Sequence, residues 1–136
     1  MRKKRRKKPR KGTKSYQRWE LRVLRNKCLR LWSNKVRELA GNKCVACSST
    51  ELVHSHHIED SRLNSALRYD LRNGVAFCVS HHKFGSESAH KSFVFMYKYM
   101  VEHRKEDLEY LLQERERKVE LTKEYLESKI EELKGE

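Results

Sequence analysis

Two pairs of residues of metal-binding type lie in the central part of the chain. Cys44 and Cys47 form a C-x2-C pair, and after thirty further residues Cys78 and His81 form a C-x2-H pair. Thiolate sulfur and imidazole nitrogen are the ligands with which Zn²⁺ completes a closed tetrahedral site. Both pairs are flanked by polar residues, which is not typical of buried thiols without a ligand role. The spacing therefore predicts a structural zinc site, and a disulfide framework is not expected in a chain without a secretory signal.

Histidines cluster in the same part of the chain, with six of the seven between positions 54 and 90. His56 and His57 are adjacent in a segment with strand character, and neighbours on a strand point to opposite sides. One of them can therefore bind a metal ion while the other faces a substrate. Hydrolysis of a phosphodiester needs both functions, because a divalent ion neutralises the scissile phosphate while an imidazole activates water.

The order and spacing of these residues resemble those of the His-Asn-His (HNH) or ββα-metal endonucleases. The matching pattern comprises C-x2-C, His56-His57-Ile58, Asn73-Gly-Val and Cys78-x2-His81-His82, with sixteen residues from His57 to Asn73 and nine from Asn73 to His82. Within that superfamily, residues 67–75 and 84–90 look like small phage nucleases related to the NinG-type recombination proteins. The resemblance covers about residues 29–103. It implies a metal-dependent DNA endonuclease, selective for DNA structure or shape, in phage DNA recombination, repair or processing.

The resemblance also implies roles for individual residues. His57 is expected to be the general base, and Asn73 is expected to hold either the His57 imidazole or the hairpin loop in place. A catalytic divalent ion, Mg²⁺ or another such as Mn²⁺, is expected to be held by His56, His82 and His90.

The third of these ligands departs from the usual family pattern, which has a ligand where this chain has Ser86. His90 is the expected replacement, and residues 85–89 then form a lengthened excursion. His54 lies two residues before His56 on the same strand face, so it is expected either to substitute for a ligand or to support one.

Positive charge is unevenly distributed. The net charge of +13 divides into +10 over residues 1–14, +7 over residues 15–100 and −4 over residues 101–136. A chain this basic is expected to bind a polyanion, most commonly nucleic acid. Residues 1–14 are predicted to be a disordered basic arm that contacts phosphates, the alternatives being a solubilising tail or an import signal. The candidate DNA contacts, in this arm and between the predicted strands, are Arg5, Arg6, Lys7, Lys8, Arg62, Arg68 and Arg72.

The elements that must position these residues follow from periodicity and turn signals. Residues 15–40 have apolar residues at three- and four-residue steps and predict a helix that ends at Gly41. Cys28 lies on its apolar face and is predicted to be a small core residue. The opposite face is basic, and it either lies in solvent or follows a phosphate backbone. Residues 52–58 and 75–77 predict the two strands of a hairpin, with Asn73-Gly74 as a turn signal.

The last third of the chain is predicted to be helical. Residues 92–103 are aromatic-rich and favour a helix. Residues 104–136 are predicted to form one long charged helix, since residues 105–134 contain neither Gly nor Pro. Leucine or valine recurs every seven residues at positions 112, 119, 126 and 133. This helix is expected either to pack along the domain or to form a homodimer or partner contact.

The predicted fold class is α+β and mostly helical. It comprises a zinc-stabilised ββα-metal core over about residues 44–95, within a domain of residues 15–103 that begins with the N-terminal helix, and the long C-terminal helix. No apolar run is long enough to cross a bilayer and no signal peptide is evident, so the sequence predicts an intracellular, cytoplasmic protein without a membrane partner, in the host cytoplasm or nucleoid if it is phage-encoded. The alternative function is a non-catalytic zinc-stabilised module that binds DNA or a protein.

Overall fold

The described residues, 4–60 and 62–135 of a computed structural model, form four α-helices and one two-stranded sheet. In chain order the elements are α1 (Lys14–Leu39), β1 (Val53–His57), β2 (Gly74–Cys78), α2 (Phe93–His103), α3 (Lys105–Glu114) and α4 (Lys123–Gly135). Two 3₁₀ turns, Ser65–Leu67 and Leu71–Asn73, lie between the strands, and one π-helical turn, Ser80–Phe84, follows β2. Helix accounts for 55% of the residues, which confirms the predicted α+β, mostly helical class.

Helix α1 begins and ends at the signals that its sequence contains. The Thr13 hydroxyl accepts a hydrogen bond from the Tyr16 amide at 3.1 Å, which satisfies one of the unpaired N–H groups of the first turn. At the other end, Gly41 adopts a φ of +68°, and the Asn42 amide donates to the Arg37 carbonyl at 2.8 Å. This is the left-handed cap that glycine favours, and it confirms the predicted helix and its end.

Strands β1 and β2 pair antiparallel, with His57 opposite Gly74 and Val53 opposite Cys78. The two predicted strands are therefore confirmed. The turn signal at Asn73-Gly74 falls where the 3₁₀ turn Leu71–Asn73 ends. These two residues follow the long connection, and Gly74 begins β2. A glycine is needed there because α1 crosses the strand at this point: a Cβ on Gly74 would lie 2.3 Å from Cγ2 of Val36.

The single helix predicted over residues 104–136 is wrong, because α3 and α4 are separated by residues 115–122. Contacts with the connection between the strands hold this segment out of helical conformation. The Lys118 ammonium donates to the Leu63 carbonyl at 2.8 Å, and the Val119 amide donates to the Ser65 hydroxyl at 2.9 Å. The chain reverses here, and α4 returns to pack on α1. Position 136, the end of the predicted helix, lies outside the described residues.

The packing of α1 against α4 forms the largest core cluster, which comprises Cys28, Trp32, Val36, Tyr69, Leu126, Ile130 and Leu133. Cys28 is a small core residue, as predicted, and its thiol lies 3.5 Å from the Leu126 carbonyl oxygen. Two of the four residues with seven-residue spacing, Leu126 and Leu133, are buried inside this chain, while Leu112 is 57% exposed. Of the two roles predicted for this region, the contacts show packing along the domain.

Two smaller clusters lie beneath the remaining helices. One surrounds the buried strand β2. Val75 and Phe77 of the strand belong to it, and Phe95 and Tyr99 of α2 pack against it. The other joins α2 and α3 to the connection and contains Leu67, Met100 and Leu111. These clusters fix the two strands and the turn after β2 relative to α2.

The basic arm contacts the beginning of α1. Residues 4–10 have no regular secondary structure, and residues 1–3 of the predicted arm lie outside the described part of the chain. The Lys8 ammonium lies 4.9 Å from the centroid of the Trp19 ring. Across residues 4–60 and 62–135, no helix has the length and apolar character required to cross a bilayer.

Candidate metal centres

Cys44, Cys47, Cys78 and His81 lie together, and this cluster could hold a metal ion such as zinc. The sulfur atoms of Cys47 and Cys78 are 3.8 Å apart, and Nδ1 of His81 lies 3.7 Å from the Cys44 sulfur and 3.3 Å from the Cys78 sulfur. A tetrahedral zinc site has edges of about 3.8 Å between sulfurs and about 3.5 Å between sulfur and nitrogen. The side chains therefore fit the geometry of the predicted site, and all four cysteines of the chain are free thiols.

The surroundings of Cys44 and Cys78 favour their ligand form. At Cys47 the Ser49 amide lowers the pKa of the thiol, but desolvation and the neighbouring Cys44 and Cys78 outweigh it, so that pKa is raised. Burial alone would raise the pKa of the Cys44 thiol, but amide N–H groups of Cys78, Ala46 and Cys47 outweigh it and lower the pKa below its ordinary value. Burial and the hydrogen bonds of His81 have the same two opposing effects on Cys78, and its pKa is also lowered. A thiolate is the form that binds zinc, so the loop geometry supports a metal site.

A second group, His56, His82 and His90, brings three imidazoles together with all ligand atoms within 4.8 Å of one another. Nε2 of His82 lies 3.0 Å from Nε2 of His90. His56 reaches the group from β1, and His82 reaches it from the π-helical turn after β2. The structure therefore joins the three residues predicted as ligands of a divalent ion.

Backbone hydrogen bonds bring His90 back to the π-helical turn that contains His82. The Ala89 amide donates to the His81 carbonyl at 2.8 Å, and the His90 amide donates to the His82 carbonyl at 3.1 Å. Residues 85–89 therefore leave the π-helical turn, and these bonds return the chain to it. Ser86 is exposed and is not a member of the three-imidazole group.

Two imidazoles of this group, those of His56 and His82, are held in the neutral form that binds metals. Burial, reinforced by the neighbouring charges of His82 and His90, lowers the pKa of His56 to about 3. Burial and the same kind of repulsion from His90 and His54 lower the pKa of His82 to about 4. Both rings therefore keep a nitrogen lone pair near neutral pH.

His54 contacts this group from the side. Its Nδ1 lies 3.0 Å from Nδ1 of His82, the ring nitrogen opposite to the one that faces His90. Of the two roles predicted for His54, the geometry fits support of a ligand. Metal-binding histidines commonly donate their second ring N–H to a hydrogen-bond acceptor, and an imidazole nitrogen with a lone pair can act as one.

His57 points to the other side of β1, as predicted from its adjacency to His56. Its ring stacks on the indole of Trp32 with centroids 3.8 Å apart and planes 8° apart, and its Nε2 lies 2.8 Å from the Arg68 carbonyl oxygen. A carbonyl only accepts, so Nε2 carries the proton and Nδ1 keeps the lone pair. Burial lowers the pKa of His57, despite the opposing effect of the hydrogen bond to Arg68. The contribution of Trp32 has no local sequence signal, because it comes from a different element.

Asn73 is fully buried and holds the connection between the strands. Its Oδ1 accepts from the Glu59 amide at 2.7 Å, and its Nδ2 donates to the carbonyls of Glu59 and Leu67, each at 3.1 Å. Of the two roles predicted for Asn73, these contacts fit the one that holds the loop. The loop in turn contains Arg68, whose carbonyl orients His57.

The predicted DNA contacts lie in three different environments. Arg72 is engaged by α3, because its guanidinium pairs with Asp107 at 2.8 Å and lies 3.9 Å from the Tyr110 ring centroid. Arg62 is exposed and pairs with Asp60, and it lines an open cleft together with Arg68. The arm residues are exposed, namely Arg5, Arg6, Lys7 and Lys8.

An open cleft of about 490 Å³ adjoins the three-imidazole group. His56 and His90 line one part of it, and Met96, Tyr97 and Leu108 are among the residues that line the remainder. The cleft gives a substrate access to the group from solvent. Comparisons with protein-family models, curated proteins and solved structures found no match to this chain.

Proposed function

We propose that this protein is a metal-dependent endonuclease that hydrolyses DNA phosphodiester bonds, with selectivity for DNA structure or shape. The observation that carries the proposal is the pair His56 and His57. These residues are adjacent on β1. His56 belongs to the group of three imidazoles, and His57 is held with a lone pair on Nδ1. A metal ligand beside an oriented base is the arrangement that phosphodiester hydrolysis requires. The resemblance to HNH endonucleases, including phage recombination nucleases, agrees with this arrangement.

His57 supplies the base. Its Nε2–H donates to the Arg68 carbonyl and its ring lies against Trp32, so the orientation of Nδ1 is fixed. Its lowered pKa keeps the imidazole neutral near pH 7. In this role Nδ1 removes a proton from the water that attacks phosphorus.

The three-imidazole group supplies the metal site. A divalent ion bound there would neutralise charge on the scissile phosphate and on the departing oxygen. Imidazole nitrogens suit first-row transition ions better than Mg²⁺, which prefers oxygen ligands. Of the two ions predicted from the sequence, Mn²⁺ is therefore the better match to His56, His82 and His90.

The Cys44, Cys47, Cys78 and His81 cluster has a structural part in this proposal. With zinc bound, it fixes the end of β2 and the turn that follows, and His82 is the next residue after His81. A closed four-ligand site leaves no position for substrate, so it contributes stability and not chemistry.

A cleavage assay with a single-residue control tests the proposal. Zinc-loaded protein is incubated with Mn²⁺ and either supercoiled plasmid or a branched DNA junction. His57→Ala is expected to lower the cleavage rate by about 10²- to 10⁴-fold, as for loss of a general base. His103→Ala is the matched control, because His103 is exposed at the end of α2 and belongs to neither cluster. Equal cleavage by the two variants, or no cleavage by folded wild type loaded with metal, would contradict the proposal.

A non-catalytic zinc-stabilised module that binds DNA or a protein is the second candidate. The observation that favours it is the stack of His57 on Trp32, since a half-buried histidine with two partners also has a structural use. This function predicts DNA binding that His57→Ala leaves unchanged, with no cleavage by any variant.

A further inference from the structure

Two basic clefts lie side by side along α1, and they share Arg22. The first, of about 230 Å³, lies where the arm meets the helix and is lined by Arg6, Lys7, Pro9, Ser15, Arg18, Trp19 and Arg22. The second, of about 240 Å³, lies between α1 and the connection, and its basic residues are Arg22, Arg25, Arg62 and Arg68. Because one residue borders both, the clefts form a continuous basic surface.

The helical part of this surface is a straight row. Arg18, Arg22 and Arg25 are spaced by four and three residues, so their side chains leave the same face of α1. At 1.5 Å per residue the row extends about 10 Å along the helix axis. The arm continues it at one end and the connection continues it at the other.

The charge of this row is not neutralised inside the protein. Arg22 and Arg25 are exposed, and neither forms an ion pair with any described residue. The nearest acid on the helix, Glu20, pairs with Lys123 of α4 at 3.0 Å. Asp60 of the connection pairs with Arg62 at 3.0 Å. The row on α1 therefore keeps a positive charge that is available to a partner.

One end of the surface meets His57. The Arg68 side chain lines the second cleft, and the carbonyl of the same residue holds Nε2 of His57. A backbone that followed the row toward the connection would therefore arrive beside the proposed base.

We propose that this surface, named the α1 track and comprising Arg6, Lys7, Arg18, Arg22, Arg25 and Arg68, binds the phosphate backbone of DNA on one side of the bond to be cut. The position of the cut rests on the proposed function, whereas the binding does not. A line of separate positive groups over about 10 Å, in open clefts, suits a chain of phosphates better than a single small anion.

Salt dependence of DNA binding tests the α1 track. Binding of a labelled 20-bp duplex is measured by fluorescence anisotropy between 50 and 300 mM salt. Each lost phosphate contact reduces the slope of log K against log salt by about 0.9, so Arg22→Gln/Arg25→Gln is expected to reduce it by about 1.8. At about 0.1 M salt the same two contacts correspond to a 10- to 100-fold loss of affinity.

Arg30→Gln is the matched control for Arg25→Gln. Arg30 is an exposed arginine of the same helix, but it lines neither cleft. Arg25→Gln is expected to reduce the slope by about 0.9, Arg25→Lys is expected to keep it, and Arg30→Gln is expected to leave it unchanged. Equal effects at Arg25 and Arg30 would overturn the α1 track, because they would reflect total charge alone. A loss of binding to phosphatidylserine vesicles as large as the loss of DNA binding would overturn the choice of partner.

The outcomes separate the α1 track from the proposed function. If no variant cleaves DNA but the slope changes as expected, the endonuclease proposal fails and the track stands. If wild type cleaves but Arg22→Gln/Arg25→Gln binds with an unchanged slope, the track fails and the endonuclease proposal stands. Unchanged thermal unfolding of the double variant is the expected sign that folding is unaffected, since both side chains are exposed.

Discussion

Nδ1 of His54 lies against the ring nitrogen of His82 that faces away from His90. Neutral imidazole has one N–H, and His82 has a histidine nitrogen 3.0 Å from each of its own two nitrogens. If Nδ1–H of His82 donates to Nδ1 of His54, the lone pair of His82 is on Nε2, which faces His90. In that tautomer the contact would hold the His82 ring with Nε2 free for the three-imidazole group.

Replacing His54 is therefore expected to weaken metal binding by a group to which it is not itself a ligand. His54→Phe removes the acceptor and is expected to lower the Mn²⁺ affinity of zinc-loaded protein by about 10- to 100-fold. His54→Gln keeps an acceptor oxygen and is expected to restore most of it. Titration followed by electron paramagnetic resonance measures both affinities, and His103→Ala serves as the exposed control. Equal affinities for the Phe and Gln variants would show that His54 does not act through this hydrogen bond.

The grouping of the candidate ligands could be predicted from the sequence, whereas the contact of Trp32 with His57 could not. Spacing alone brought Cys44, Cys47, Cys78 and His81 together as a candidate set, because the distances within each pair are set by the local chain. Trp32 beneath His57 has no such signal, since it lies on α1, twenty-five residues earlier. Its contact depends on how the helix crosses the sheet, which periodicity does not reveal.

At the scale of elements, α4 is an integral part of the fold. Leu126 is fully buried against α1, whereas Leu112 of α3, at an equivalent position of the seven-residue spacing, is 57% exposed. Leu126→Ala is expected to lower the free energy of unfolding by about 2–5 kcal/mol. Leu112→Ala is expected to change it by about 0.5 kcal/mol or less. Urea unfolding measures both values, and similar losses at the two positions would contradict intramolecular packing of α4.

The junction of α3 with the connection is expected to weaken in acid. Burial alone would raise the pKa of the Asp107 carboxyl, but the guanidinium groups of Arg72 and Arg104 outweigh it and hold the pKa below its ordinary value of 3.8. A carboxyl with a lowered pKa stabilises the fold fully above 3.8, and the stabilisation is lost as pH falls through the folded-state value.

Asp107→Asn is accordingly expected to lower the free energy of unfolding by about 1–2 kcal/mol at pH 7, a figure reduced because its arginine partners are partly exposed. The loss is expected to become progressively smaller below pH 3.8. Thermal unfolding of wild type and variant between pH 2 and 7 measures the difference. Glu106→Gln is the control, because Glu106 is exposed and its side chain has no partner among the described residues. A difference between wild type and Asp107→Asn that stays constant with pH would contradict the assigned charge interaction.

Element types were more predictable than their extent. The glycine that ends α1 and the strand character of residues 52–58 and 75–77 are local signals, so both were predicted correctly. The interruption at residues 115–122 has no Gly or Pro to announce it. It results from hydrogen bonds of Lys118 and Val119 to a distant loop, and such tertiary contacts override helix propensity.

At the scale of the whole molecule, the two candidate metal centres are joined by one turn of backbone. His81 belongs to the cysteine cluster and His82, the next residue, belongs to the three-imidazole group. Both lie in the π-helical turn Ser80–Phe84, directly after β2. A zinc ion bound by the cysteine cluster would hold this turn in one conformation, and it would therefore also hold His82 in position.

Zinc removal is accordingly expected to disable both centres. A strong chelator should lower the melting temperature by about 10 °C or more, because zinc binding contributes directly to the folding of small domains. In the zinc-depleted protein, the Mn²⁺ affinity of the three-imidazole group should fall at least about tenfold. Calorimetry and metal titration measure the two effects. Cys28→Ala is a suitable control, since Cys28 lies in the α1–α4 core and outside both centres.

Linkage makes this coupling testable in the opposite direction. If zinc raises the affinity for Mn²⁺ by a given factor, Mn²⁺ must raise the affinity for zinc by the same factor. His90→Ala removes one member of the three-imidazole group without altering the cysteine cluster, so it should abolish this increase and leave the intrinsic zinc affinity unchanged. Unequal factors in the two directions would mean that one ion also binds at the other centre. If neither ion changed the affinity for the other, the turn would already be rigid without zinc. The backbone hydrogen bonds from Ala89 and His90 to the turn would then be sufficient to hold it.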